Sequence, residues 1–161
     1  MTSSNPRGKI TQEDRDAHER YLADSEACIA QLKERLGFEA VRLDFTPDSL
    51  KFVDELKKMW IRPVVAEDFV LGMPPRPLTE EEIWWAVRLA YYLAEVLIRN
   101  LDAKWDIETR PGHAKFKRSV LRGEKIFDGV DTQSIILAPG SNRQDTLYGW
   151  YVRNFVKEEI E

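Results

Sequence analysis

Cysteine and histidine, the side chains that most often carry redox and metal chemistry, are scarce in this sequence. The 161 residues include one cysteine, Cys28, and two histidines, His18 and His113. A single cysteine cannot form an internal disulfide, and two distant histidines give neither an HExxH pair nor a Cys–His zinc pattern. We therefore predict no metal, no cofactor, a buried and inert thiol at Cys28, and a protein of the reducing cytosol.

Motifs for phosphate binding and nucleophilic catalysis are absent as well. The sequence has no P-loop, no glycine-rich dinucleotide-binding fingerprint and no nucleophile elbow. No window approaches the roughly 18 uninterrupted apolar residues that span a bilayer, and the polar stretch 1–10 lacks the apolar segment of a signal peptide. These absences favour a binding role over an enzymatic one, and they predict neither secretion nor membrane insertion.

The composition is that of a folded domain with a mild excess of acid. Apolar residues make up 43% of the chain and charged residues 32%, and 24 bases against 28 acids give a formal net charge of -4. A chain of this length is large enough to bury one core. We predict a disordered lead over residues 1–10 and a single domain over residues 11–161.

Hydrophobic spacing predicts the elements of the first half of the chain. Apolar residues at three- and four-residue steps predict one long helix between an N-cap at Thr11 and a stop at Gly37. The alternation of apolar and polar residues over 41–45 predicts a short strand. Thr46 before a proline predicts the cap of another helix, and the Gly- and Pro-rich stretch within 61–78 predicts an extended connection.

The strongest helical signal lies near the centre of the chain. Three glutamates after Thr79 complete a capping box, and the apolar pattern behind it predicts a central hydrophobic helix over residues 79–101. Ser141 is positioned to cap a C-terminal helix. Three further segments have the composition of strands: 105–108, 114–120 and 133–138. The predicted class is α+β, with helices packed around the central helix and on a small antiparallel sheet.

From Ile83 onward, the charged residues of the central helix up to Arg99 lie in one narrow stripe, and aromatic pairs flank that stripe on both sides. The charged members fall within a band about 40° wide at 100° per residue. We call the whole set the aromatic seam: Trp84, Trp85, Arg88, Tyr91, Tyr92, Glu95 and Arg99. Because Trp, Tyr and Arg dominate binding hot spots, the seam is a candidate recognition groove. The alternative is that Glu95 pairs with Arg99 while the rings serve only the core.

Basic residues are concentrated in the segment 110–125. An aromatic ring between bases is typical of surfaces that stack on single-stranded nucleic acid. The candidate contacts are Lys115, Phe116, Lys117, Arg118, Arg122 and Lys125. The same pattern is also typical of a solvated sheet edge protected by lysines, so both interpretations stay open.

The first predicted helix carries the opposite charge. Between Glu13 and Glu34 the chain has seven acids and three bases, which predicts a negative outer face. Such a face would attract a basic partner, or it would serve only to solvate the domain.

Two short motifs and a tryptophan resemble a bacterial protein family. The chain reads SLKFVD at 49–54 and AYYLAEVL at 90–97, followed by Trp105. Their order and spacing, over residues 40–155, are similar to those of the domain-of-unknown-function 3806 group and of small immunity-like proteins. The resemblance implies an α+β fold without enzymatic activity, and a protein-binding or immunity role.

Three functional hypotheses follow, in order of preference. The first is a non-enzymatic cytosolic protein-binding domain, such as a bacterial immunity protein that neutralises a basic toxin. The second is a nucleic-acid-associated accessory protein that uses residues 110–125. The third is a hydrolase-type enzyme centred on Glu95, the one acid expected to lie partly buried among aromatic rings.

Overall fold

A computed structural model of the chain describes residues 9–62, 77–137 and 146–156. Its helices, numbered in chain order, are α1 Gln12–Ala23, α2 Ser25–Leu36, α3 Leu50–Trp60, α4 Glu80–Leu101, α5 Thr132–Leu137 and α6 Leu147–Phe155. Its strands are β1 Lys104–Ile107, β2 Ser119–Gly123 and β3 Ile126–Val130, and two 3-10 turns cover Gly37–Arg42 and Pro47–Ser49. The predicted α+β class, with its small antiparallel sheet and C-terminal helix, is confirmed.

Helix α4 is the central element of the core. Twelve of its 22 residues are buried, and α2, α3 and α5 all pack against it. The hydroxyl of Thr79 accepts the N–H of Glu82, while the Glu82 carboxylate accepts the N–H of Thr79, so the predicted capping box is present. The helix ends where Asp102 adopts a left-handed conformation, with φ of 54°. The predicted central helix over 79–101 is therefore confirmed.

The prediction of one long helix over 11–36 is wrong, because the segment forms two helices. Thr11 caps α1 as predicted, but α1 ends at Ala23 and α2 begins at Ser25. The break at Asp24 allows α1 to pack on β1 while α2 packs on α4. Apolar spacing alone does not reveal this break, since both helices continue the same periodicity.

The predicted strand over 41–45 is also wrong. Residues through Arg42 form a 3-10 turn, and of the three alternating apolar residues only Leu43 is buried. Phe45 has φ of 63°, which lies outside the conformation of a β-strand. Thr46 does cap the following turn by accepting the N–H of Ser49, as its sequence predicts.

The sheet has the order β1-β2-β3, and both neighbouring pairs are antiparallel. Strand β1 confirms the predicted segment 105–108, but most of 114–120 is an irregular loop and only its last two residues enter β2. Strand β3 was not predicted, because Asp128 and Gly129 have the composition of a turn. Both residues have positive φ, and a register shift in the pairing with β2 accommodates them within the strand.

The segment 133–138 forms helix α5 rather than the predicted strand, up to Leu137, where this described range ends. The cause is Asp131, whose carboxylate accepts the N–H groups of Gln133 and Ser134 and so caps a helix. Helix α5 has few apolar residues, and among them Ile136 is buried in the core.

Some predictions concern residues outside the described ranges, namely most of the lead 1–10, most of the connection 61–78 and the cap at Ser141. The C-terminal helix that is described, α6, is capped by Thr146. Within the described ranges, no helix combines the length and the apolar character needed to cross a membrane. Nor do three His, Cys, Asp or Glu side chains there lie close enough together to hold a metal ion.

Candidate functional site

Three rings of the aromatic seam lie in the core rather than on a recognition groove. Trp85, Tyr91 and Tyr92 are each no more than 2% exposed. The Tyr91 hydroxyl donates to the carbonyl of Tyr21 at 2.7 Å, and the Tyr92 hydroxyl lies 2.7 Å from the Ser49 hydroxyl. Burial raises the pKa of both phenols, which keeps them neutral. Because these three rings are buried, they are not available to contact a partner, contrary to the prediction.

The next part of the seam is covered by helix α2. The ring of Trp84 is half-buried between two guanidinium groups, with Cζ of Arg35 4.5 Å and Cζ of Arg88 4.3 Å from its centroid. Arg88 also donates to the side-chain carbonyl of Gln31 on α2, at 2.8 Å from Nη2. The charged stripe therefore faces a neighbouring helix here, and both side chains already have partners within the domain.

The last two members of the seam, Glu95 and Arg99, line a groove of about 660 Å³ beside α2. Nε of Arg99 lies 3.4 Å from the Glu95 carboxylate, which is the ion pair that their spacing predicts. Cζ of Arg99 also lies 3.6 Å from the ring centroid of Phe45. Of the described residues that line this groove, none is a histidine or cysteine and only Ser25 has a hydroxyl. The hydrolase hypothesis for Glu95 stays a prediction, and no hydrogen bond between Glu95 and Ser25 is found among the described residues.

The basic segment 110–125 is folded against carboxylates of its own sheet. Glu108 is fully buried and accepts hydrogen bonds from Nε of Arg110 at 2.8 Å and from Nη2 of Arg122 at 2.5 Å. Arg110 also donates to Asp128 at 2.5 Å. We call these four residues the arginine clamp. Chiefly through the hydrogen bonds of Arg110, the clamp lowers the pKa of Glu108 to about 2, so the carboxylate stays charged.

Other bases of the proposed nucleic-acid surface are engaged in a similar way. Nζ of Lys115 donates to a backbone carbonyl of β3 at 3.0 Å. Nζ of Lys117 lies 3.3 Å from the Asp14 carboxylate, and Nη1 of Arg118 lies 2.8 Å from that of Asp131. A base that is already paired has less net charge to offer to a phosphate backbone.

Two residues of that surface differ from the others. Phe116 is half-buried, so only part of its ring is open for stacking, whereas Lys125 is exposed and forms no ion pair in the described part of the chain. The nucleic-acid hypothesis stays a prediction, and the structure leaves it one unpaired lysine rather than a continuous basic strip.

Among the described residues, the most exposed large apolar side chains lie elsewhere, on the 3-10 turn that follows α2. Phe38 is 93% exposed and Val41 is 81% exposed. Residues three positions apart lie on the same side of a 3-10 helix, so the two side chains form a single projection. We call this pair the apolar turn. Gly37, with φ of 63°, supplies the left-handed residue that ends α2 and redirects the chain into the turn.

Ion pairs flank the apolar turn on either side. Arg35 before the turn pairs with Glu81 at the start of α4. Arg42 at its end pairs with Glu55 on α3 at 3.1 Å, and its guanidinium lies 4.0 Å from the ring centroid of Phe52. The apolar turn is therefore linked to α4 and α3, two of the helices that contribute to the core.

Two exposed acids, Glu34 and Glu39, flank Phe38 in the sequence, and the base Lys33 precedes them. Neither acid forms an ion pair with any residue that the structure describes. The two nearby arginines are already paired with carboxylates. Further exposed acids lie on α1, on α2 and at the break between them, where α1 also exposes Arg15 and Arg20: Glu13, Glu19, Asp24 and Glu26.

Sequence reasoning missed the apolar turn because it assigned Val41 to the buried face of a strand. A signal was nevertheless present in Phe38, an aromatic residue directly after the helix stop Gly37. It continues neither the helical periodicity before it nor the alternation after it. A large apolar residue that fits no neighbouring pattern is a candidate for surface contact.

Comparison of the chain with protein-family models, with curated proteins and with solved structures gives no match. The resemblance to the domain-of-unknown-function 3806 group stays a prediction. Function is therefore argued from the geometry alone.

Proposed function

We propose that this chain is a non-enzymatic protein-binding module of the cytosol that docks through the apolar turn. The observation that carries the proposal is the exposure of Phe38, at 93%, on a turn anchored by ion pairs on both sides. Moving such a side chain out of water contributes roughly 1.5–3 kcal/mol to binding. Because the turn is already held by the fold, little ordering of its backbone opposes that gain.

The partner that fits this surface is a protein with an apolar pocket surrounded by basic residues. Phe38 and Val41 would fill the pocket, and Glu34 and Glu39 would face its rim. The exposed acids of α1 and α2 would attract such a partner from a distance and raise the association rate. The specific form of this function that we propose is a bacterial immunity protein, the role that the family resemblance implies, and the exposed acids favour a basic toxin as its partner.

The test is affinity capture from a lysate of the native host, with the intact chain and two variants as bait. We expect the intact chain to retain a protein of basic isoelectric point. The double variant Phe38→Ser with Val41→Ser should lose it, because the anchor is removed. Glu34→Lys with Glu39→Lys should retain much less of it, because the rim charge is reversed. Purified partner and bait would then be compared by calorimetry at low and high salt.

Val156→Ser is a matched control, since Val156 is 48% exposed and lies outside the apolar turn. It should capture the partner as well as the intact chain does. Retention of the partner by the Phe38→Ser, Val41→Ser variant would contradict the proposal. So would capture of no basic protein, or dimers of the chain itself that the same variant abolishes in light scattering.

A further inference from the structure

A second groove, of about 680 Å³, lies between α1, the start of β2 and α5. Its volume is within the range of small-ligand sites. One wall is formed by Ala17, the ring of Tyr21 and Leu137. The polar part of the lining has two cations, two hydroxyl groups, an imidazole, an amide and one carboxylate, from Lys117, Arg118, Ser119, Ser134, His18, Gln133 and Asp131. We call this cavity the polar groove.

The guanidinium group of Arg118 is fixed from one side only. Its Nη1 donates to the Asp131 carboxylate at 2.8 Å and to the Ser134 hydroxyl at 3.3 Å. That carboxylate is 7% exposed and also accepts the hydroxyl of Ser134 at 2.9 Å, so the anchor is itself held by the fold. The Arg118 side chain is 60% exposed, and its Nε and Nη2 form no hydrogen bond with the residues that the structure describes. Adjacent guanidinium N–H groups match the two oxygens of a carboxylate or phosphate.

Backbone geometry brings the neighbours of Arg118 to the same groove. In an extended strand, successive side chains point to opposite faces. Lys117 has φ of 71°, in the left-handed region, and this interrupts the alternation just before β2. Unusual backbone angles of this kind are concentrated at ligand sites. Lys117, Arg118 and Ser119 all line the groove, the first two from the irregular segment before β2, so Lys117 adds a second cation to it.

The other donors of the groove are also positioned before any ligand arrives. Nζ of Lys117 lies 3.3 Å from the Asp14 carboxylate and the side chain remains 34% exposed, which leaves protons for a ligand. The hydroxyl of Ser119 lies 2.7 Å from Nδ1 of His18 on α1. Groups held in this way lose little freedom when a ligand binds.

We propose that the polar groove binds a small organic oxyanion, a carboxylate or a phosphate monoester attached to an apolar body. The free edge of Arg118 and the ammonium group of Lys117 bind the charged oxygens. The wall formed by Ala17, Tyr21 and Leu137 receives the apolar body. This site shares no residue with the apolar turn, so the outcome of its test is independent of the protein-binding function.

The test is a titration of the full chain, followed by NMR of the backbone amides, with phenyl phosphate, benzoate and benzyl alcohol as probes. We expect phenyl phosphate or benzoate, at millimolar concentration, to shift the amides of His18, Ser119 and Ser134. The stronger of these two probes identifies the oxyanion as phosphate or carboxylate. Benzyl alcohol has the apolar body without the charge, so it should leave those amides unshifted.

Arg118→Gln should raise the Kd of the binding probe at least roughly tenfold, since it removes the charge that faces the ligand. Lys125→Gln is the matched control and should bind as the intact chain does, because it removes an unpaired base outside the groove. If Arg118→Gln does not give a dispersed spectrum, Lys117→Gln replaces it and should also weaken binding severalfold. The proposal is overturned if neither oxyanion shifts the groove, if benzyl alcohol shifts it equally, or if the folded groove variant binds as tightly as the control.

Discussion

Helix α4 and the arginine clamp both bury side chains, but they do so with opposite chemistry. In α4 most of the buried side chains are aliphatic or aromatic, and they pack into one apolar cluster with residues from other elements. In the clamp the buried group is the Glu108 carboxylate, which depends on two arginines that remain 34% and 51% exposed. Apolar burial is non-directional, whereas a buried charge is stable only while its specific partners stay in place.

The two regions should therefore respond differently to the same kind of damage. Loss of an apolar side chain from α4 leaves a cavity, and its cost depends on the volume removed and not on pH. Loss of the charge from the clamp removes the anion that Arg110 and Arg122 share, although each keeps a second carboxylate partner, and its cost depends on pH. Each of the changes below tests this difference, beginning with the largest expected effect.

Trp85→Ala should give the greatest loss of stability. The ring is 1% exposed and stacks on Trp60 with centroids 5.0 Å apart, so truncation leaves a large cavity at the centre of the core. We expect the free energy of unfolding to fall by about 3–5 kcal/mol, measured by urea denaturation, with the same loss at pH 7 and pH 5. Ile83→Ala, at a position 47% exposed, is the control and should change it by less than about 0.5 kcal/mol. Equal losses for the two variants would contradict the interior position of α4.

Glu108→Gln should lower the free energy of unfolding by about 2 kcal/mol at pH 7, because the acceptor of the hydrogen bonds from the two arginines loses its charge. The pKa of this carboxyl is lowered from 4.5 to about 2 in the folded protein, chiefly by Arg110. A lowered pKa means that the charge stabilises the fold fully above pH 4.5 and that this contribution is lost as the pH falls through 2. The difference in free energy of unfolding between the intact chain and the variant should therefore become smaller as the pH falls from 4.5 to 2.

The measurement is urea denaturation of both proteins at several pH values between 7 and 2. Glu124→Gln is a suitable control, because Glu124 is exposed and forms no ion pair in the described part of the hairpin. It should not alter stability measurably at any of these pH values. If the difference in free energy of unfolding between Glu108→Gln and the intact chain stayed constant down to pH 2, the shape of Glu108 and not its charge would be what stabilises the fold.

The same contrast explains how much of the fold could be predicted. The capping box after Thr79 and the apolar spacing of α4 are local signals, so the central helix was predicted with correct bounds. The clamp joins Glu108 to Arg122, and hydrophobic periodicity carries no information about a polar pair so far apart in the chain. For the same reason 114–120 was predicted as a strand, although the loop before β2 is set by partners such as Asp14 on α1.

Prediction of the candidate sites from the sequence was limited in a similar way. Periodicity correctly placed aromatic rings on both flanks of the charged stripe, but it could not show that α2 covers Trp84 and Arg88. Phe38 and Val41 were not identified, because exposure depends on which neighbours fail to cover a side chain. The polar groove was missed because its residues are far apart in the sequence. His18 and Ser119 come together only when α1 packs beside the sheet.

Asp102→Gly tests the junction between the two regions and should have the smallest effect. Asp102 ends α4 with φ of 54° and leads directly into β1, and an L-residue in this left-handed conformation is strained by roughly 1 kcal/mol. Glycine relieves the strain but makes the unfolded chain more flexible, so we expect a net gain of about 0.5 kcal/mol in thermal or urea unfolding. Asp102→Ala keeps the strain and should not stabilise the protein. If alanine stabilised it as much as glycine, the charge of Asp102 near the negative end of α4, rather than its backbone, would be the source of the strain.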